Sequence, residues 1–180
     1  MKRIISVIAA TVLLIVLASA ATAADVTTRS GDYWIKVNKQ QLRLTLFKGD
    51  KVEKSWPVST GRGKGKVKTS RMDLITPTGT FTIYRVDQNA SKRVFDPAWF
   101  NEEGEAKAGV YGTKLISFYN KWQIAIHGTS NPHSIGRHST HGCIRLRNRD
   151  IEELIKYVNP PMKLVITDGD DSRQFYKETI

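Results

Sequence analysis

All four histidines of the chain, His127, His133, His138 and His141, fall between Ile126 and Gly142, and the only cysteine, Cys143, follows at once. A thiol near imidazole is the equipment of nucleophilic acyl transfer. The thiol needs a base, or a nearby cation to lower its pKa from about 8.5. The tetrahedral intermediate then needs backbone N–H groups aimed at its oxyanion. Gly142, directly before Cys143, permits the close backbone approach such a turn requires. On residue type alone His127 and His141 are equal candidates for the base. His133 and His138 read as loop-surface residues, because a Cys-His site needs one base. Zinc is the rival chemistry, but no pair among these residues has finger or ribbon spacing and there is no His-Glu-x-x-His. No metal and no cofactor is expected.

Arg145 lies two residues beyond the thiol, on the same face of a strand if that segment is extended. A fixed guanidinium there suits a substrate carboxylate, the alternative being a solvated surface arginine. Arg147 reads as its exposed neighbour.

These blocks resemble the L,D-transpeptidase catalytic domain, also called the YkuD domain. The resemblance rests on His127-Gly128-Thr129, on Thr140-His141-Gly142-Cys143-Ile144-Arg145 after a spacer, and on the upstream Thr76-Pro77-Thr78-Gly79-Thr80-Phe81. It spans the chain from about Tyr33 to Ile166. Many members carry asparagine where this chain has Arg145. The resemblance implies a mainly β fold with one or two helices, a β-sandwich-like catalytic domain. It implies that Cys143 is the nucleophile, His127 the base and Gly128 the carbonyl that orients it. His141 would shape the pocket. Gly142 and Cys143 would supply the oxyanion hole through their N–H groups, and Thr140 and Arg145 would contact substrate.

The implied reaction is attack on the L-centre carbonyl of diaminopimelate in a peptidoglycan tetrapeptide stem. D-alanine leaves, a thioester forms, and an amine of a second stem, or of a protein, accepts the acyl group. Transfer to water (an L,D-carboxypeptidase) and a non-catalytic wall-binding module are the alternatives. The expected partners are a donor tetrapeptide and an amine acceptor, with the protein a monomer peripheral to the cell wall.

The rest of the sequence supplies the setting. Residues 1–23 have the form of a secretory signal: Lys2 and Arg3, an apolar run from Ile4 to Leu17, then Ala18-Ser19-Ala20 and Ala21-Thr22-Ala23 as small-x-small cleavage patterns. Export to the periplasm or cell wall is therefore expected. There a lone thiol is a liability unless it is used. The formal net charge of +11 suits a negative partner. Nucleic acid is not expected, because no helix-turn-helix, zinc-finger or RNP-type pattern is present.

One catalytic domain is expected over 24–180, with its core at about 33–167. Tyr33–Val37, Gln41–Phe47 and Val52–Ser59 read as a β-meander. Leu42, Leu44 and Leu46 share one face of it, and Pro57 marks an edge or bulge. Gly61–Ser70 reads as an exposed loop and Gly79–Tyr84 as a strand. Asn89–Gly109 reads as a long loop or flap, and Phe118–Ile126 as one buried strand running into His127. Asn148–Val158 is the clear helix, with Asn148 as N-cap, and Met162–Thr167 is the last strand.

Overall fold

The computed structural model describes residues 32–169. The expected signal at 1–23 lies outside them. The meander forms as β1 (Tyr33–Asn38), β2 (Arg43–Lys48) and β3 (Lys51–Pro57). Its register sets Ile35 against Leu46 and Val37 against Leu44, all four fully buried. Side chains that alternate in or out every second residue fix that register, since a one-residue slip of either strand would turn its buried pair to solvent. Leu42 departs from the expected alternation. It lies in the turn before β2 with φ of 50°, where the Asn38 side chain accepts from Gln41 N–H. Local turn bonding thus overrides the pattern by one residue.

β4 (Thr60–Gly61) follows, then the long strand β5 (Gly79–Asp87). The Asn89–Gly109 stretch is more structured than a plain loop. It holds 3-10 turns at Ala90–Lys92 and Pro97–Phe100 and a small hairpin of β6 (Val94–Phe95) and β7 (Lys107–Ala108). Asp96 caps the second turn by accepting from Ala98 N–H at 2.9 Å.

The stretch read as one strand up to His127 is instead two, β8 (Leu115–Phe118) and β9 (Ala125–His127), paired antiparallel. Asn120 breaks the run. Its amide donates to Phe118 O and Ile124 O, and its oxygen accepts from Trp122 and Ile124 N–H. A single polar side chain therefore satisfies four backbone groups of a turn that would otherwise read as apolar strand.

β10 (His138–Thr140), β11 (Ile144–Arg145), α1 (Asn148–Leu154) and β12 (Met162–Thr167) complete the chain. Arg147 occupies the N-cap position of α1, and Asn148 is its first helical residue. The Asn148 side chain does not cap; it is used elsewhere, as described below. A 3-10 turn, Ile155–Tyr157, ends the helix.

Eight strands form one sheet in the order β11-β9-β8-β5-β12-β1-β2-β3. The sheet curls until its ends meet. Just beyond β3, Ser59 exchanges two backbone hydrogen bonds with Arg145 of β11, at 2.9 and 2.8 Å. The curl closes one apolar core that includes Leu44 and Trp56 from one end of the sheet, Ile126 and Ile144 from the other, and Ile151 and Leu154 of α1. Each fully buried Leu or Ile contributes about 1.5–3 kcal/mol by leaving water. The sandwich-like interior is thus one sheet folded over on itself.

Candidate active site

Cys143 sits where β10 turns into β11. Two buried threonine hydroxyls hold the turn. Thr140 donates to Cys143 O at 2.6 Å and accepts from Gly142 N–H at 3.1 Å. Thr76 donates to Gly142 O at 2.7 Å and accepts from Gly61 N–H at 2.8 Å. Gly142 has φ of 127°, and a Cβ there would lie 2.9 Å from Ile75 O, so glycine is required on both counts. Thr140 is spent on backbone and lies outside the residues that line the cavity described below.

His127 ends β9 and is buried; its pairing partner on the neighbouring parallel strand is Arg145. Nδ1 lies 2.6 Å from Gly128 O. A carbonyl can only accept, so Nδ1 carries the hydrogen and Nε2 is left as the basic nitrogen. The Gly128 carbonyl is held in turn by Asn148. The Asn148 Oδ1 accepts from Thr129 N–H at 2.9 Å and Thr113 N–H at 3.2 Å, bracketing the His127-Gly128 segment. A Cβ on Gly128 would fall 2.3 Å from that oxygen. The Tyr111 ring meets the imidazole edge-on, with centroids 5.0 Å apart.

Burial and the Arg145 charge push the His127 pKa down to about 4, against the Gly128 and Tyr111 backbone contacts. Burial also pushes the Cys143 thiol up; the Ala125 backbone and the charges of Arg145 and Lys68 oppose it. Burial thus disfavours the charged form of both groups. Burial likewise drives the Tyr111 phenol up to about 12, with the nearby Cys143 adding to it, so it stays protonated.

Cys143, His127, His141 and Arg145 all line one cavity. Phe95, Trp99 and Phe100 of the Asn89–Gly109 stretch line it too, with Tyr111 just beyond it and Trp122 and Ile124 of the β8–β9 turn. The flap expected from sequence therefore forms a wall of this cavity. His141 differs from His127: its Nε2 lies 3.0 Å from both carboxylate oxygens of Glu102, and its ring lies against Phe100 with centroids 4.1 Å apart. Glu102 also pairs with Arg62. His141 thus ties the Asn89–Gly109 stretch to the cysteine turn. Arg145 donates from one terminal nitrogen to Ser134 Oγ at 3.0 Å, while its Nε is buried with no partner among the described residues.

His133 is exposed on a turn at Pro132–Ser134, and His138 is exposed with Nδ1 2.8 Å from Thr60 Oγ1. Among the described residues no three His, Cys, Asp or Glu side chains are grouped to hold a metal ion. Thr76, Asn148, Tyr111 and Glu102 gave no site signal beyond residue type. Thr76 falls in the upstream block that carried part of the resemblance, which gave it no role of its own.

A curled β-sheet with a buried histidine at the end of β9 and a cysteine in the turn just before its parallel neighbour β11 defines a recognisable domain architecture. The family model for the L,D-transpeptidase catalytic domain (YkuD) matches residues 32–166, and the chain belongs to that family. It is 30% identical over 149 residues to the protein of Bacillus subtilis (strain 168) named "Putative L,D-transpeptidase YqjB", covering 81% of this chain and 76% of that one. It is 31% identical over 135 residues to a protein of Bacillus licheniformis named in the same way as YkuD, covering 75% of this chain and 66% of that one.

Solved L,D-transpeptidases share the fold. L,D-transpeptidase 3 from Mycobacterium tuberculosis, in complex with a faropenem-derived adduct, matches with a TM-score of 0.59 at 15% identity, over 76% of this chain and 60% of that one. An L,D-transpeptidase from Mycobacterium smegmatis matches with a TM-score of 0.57 at 17% identity, over 76% and 58%. The chain thus spans about three-fifths of the length of these solved structures.

Proposed function

We propose that this protein is an exported L,D-transpeptidase that acts on peptidoglycan stem peptides through a Cys143 thioester. One observation carries the reading: a buried His127, fixed in one tautomer by Gly128 O, lines the same cavity as the only thiol. Export rests on the signal-like residues 1–23.

The donor tetrapeptide presents the L-centre carbonyl of diaminopimelate to Cys143. His127 Nε2 takes the thiol proton as sulfur attacks, and the Arg145 charge supports the developing thiolate. The Cys143 N–H is the oxyanion donor in this reading. The Gly142 N–H, expected to share that task, is already given to Thr140 Oγ1. As the intermediate collapses, the C–N bond to D-alanine breaks and the imidazolium gives its proton to the leaving amine. Burial makes that imidazolium a strong acid, which favours this transfer. The amine of a second stem then attacks the thioester, His127 takes its proton, and the thiol is regenerated with a 3→3 cross-link.

Cys143→Ala is expected to remain folded and to form no covalent adduct with a carbapenem by intact-protein mass spectrometry, whereas wild type gains one carbapenem mass. A persistent adduct on the alanine variant would overturn the assignment of the nucleophile. Incubation with purified tetrapeptide muropeptides is expected to give cross-linked dimers and free D-alanine. Tripeptides without dimers would mean that water is the acceptor.

A further inference from the structure

The cavity that holds Cys143 is lined by three cationic side chains, Lys68, Arg71 and Arg145, and by no Asp or Glu among the described residues. Two of the three are already engaged. Lys68 Nζ, almost wholly buried, lies 2.7 Å from Asp73 Oδ1. Arg145 is bonded to Ser134, and its charge acts on the thiol and on His127. Arg71 is different. It is exposed and has no carboxylate partner among the described residues, its one recorded side-chain contact being the Phe100 ring 5.9 Å away.

The backbone beneath Arg71 is unusually well fixed. Arg71 opens the one-turn helix Arg71–Asp73, closed by a capping box between Ser70 and Asp73. Asp73 alone accepts from the N–H groups of Thr69, Ser70 and Ile75 and from Lys68. A guanidinium rooted in a hydrogen-bonded turn at the wall of an aromatic cavity, with no carboxylate partner among the described residues, is one half of a charge-assisted hydrogen bond.

Resting on the reading that the cavity takes a peptidoglycan donor stem, we propose that Arg71 is a specificity residue that binds one free carboxylate of that stem. Arg145 serves the thiol; Arg71 reads the substrate. The enzyme then prefers a donor bearing a free carboxylate at that position over the same donor bearing a carboxamide, because an amide offers no charge and one acceptor instead of two.

The test uses the full chain and a set of donor tetrapeptides in which each carboxylate in turn is replaced by a carboxamide. For wild type, one of these replacements is expected to lower kcat/KM about tenfold, through KM. Arg71→Gln is expected to lose a similar factor on the free-carboxylate donor and to show no further penalty for that one carboxamide. Arg71→Lys, which keeps the charge without the planar fork, should fall between. The idea is overturned if Arg71→Gln lowers kcat/KM equally on every donor, or if the carboxamide penalties are unchanged in it. Thermal melting of both variants, expected to match wild type, separates recognition from folding. Carbapenem adduct formation on wild-type Cys143 separates this inference from the function it rests on. Absence of the adduct sinks the functional reading, whereas an adduct together with unchanged carboxamide penalties sinks Arg71 alone.

Discussion

Thr76→Val tests how the cysteine turn is held. The substitution nearly preserves shape, but it deletes a hydroxyl that is buried and bonded twice, to Gly142 O at 2.7 Å and Gly61 N–H at 2.8 Å. Each buried group left unpaired costs about 1–3 kcal/mol. Partial relaxation of the loops puts the sum at about 2–4 kcal/mol, which a domain stable by about 5–15 kcal/mol survives. For a chain of this size each kcal/mol lowers the melting temperature by about 2–4 °C, so the variant should melt roughly 5–15 °C below wild type. The freed Gly142 carbonyl also loosens the residue before the nucleophile. Small misplacements of a nucleophile are expensive, and acylation by a carbapenem should slow on the order of tenfold or more. Thr76→Ser keeps both hydrogen bonds and should retain most of the rate. Urea melts and stopped-flow acylation read the two effects separately. A valine variant within about 0.5 kcal/mol of wild type would refute the satisfaction argument. A destabilised variant that acylates at the wild-type rate would refute the link from the hydroxyl to the thiol.

Two further outcomes follow from His127. With its pKa near 4, the carbapenem acylation rate should stay level as pH falls through 6.5 and drop only around pH 4; an acid limb near 6.5 would mean a solvated imidazole. The sign for stability is the same. The unfolded chain binds the proton at about 6.5 and the folded one only near 4, so this contribution is complete above 6.5 and is lost as pH falls through 4. Asn148→Ala removes the acceptor for both Thr113 and Thr129 N–H and should cost about 2–4 kcal/mol in urea melts. It should also slow acylation by freeing Gly128, and an unchanged rate would disconnect Asn148 from the histidine.

The chemistry was easier to read in the sequence than the scaffold that aims it. A lone cysteine beside a glycine, downstream of clustered histidines, is an arrangement few other needs produce, and the alternation in β1 and β2 gave the meander. Side chains that bond across long separations leave no such trace. Thr76 reaches Gly142 and Asn148 reaches Thr113 through single hydrogen bonds, which impose no periodicity on either segment. Asn148 looked like a cap because Asn often is one, yet its amide is used on the loop that carries Gly128. Asn120 drew no notice inside a stretch read as one strand, and its turn instead makes two. What sets His141 apart from His127 is Glu102, 39 residues away in sequence, which lies against its Nε2.

The place of β12 in the sheet has a consequence for how the enzyme becomes active. β12 contributes no residue to the cavity, yet it lies between β1 and β5, parallel to one and antiparallel to the other. Without it the N-terminal meander and the group β5, β8, β9 and β11 lose the strand that pairs them, and the Ser59–Arg145 bridge remains between the two ends of the sheet. The ribosome makes β12 after every other strand described here, and its contacts with β1 span most of the chain. Such late, distant pairing makes folding slow and all-or-none, so a nascent chain can carry its thiol while lacking the closed sheet that would put it to use.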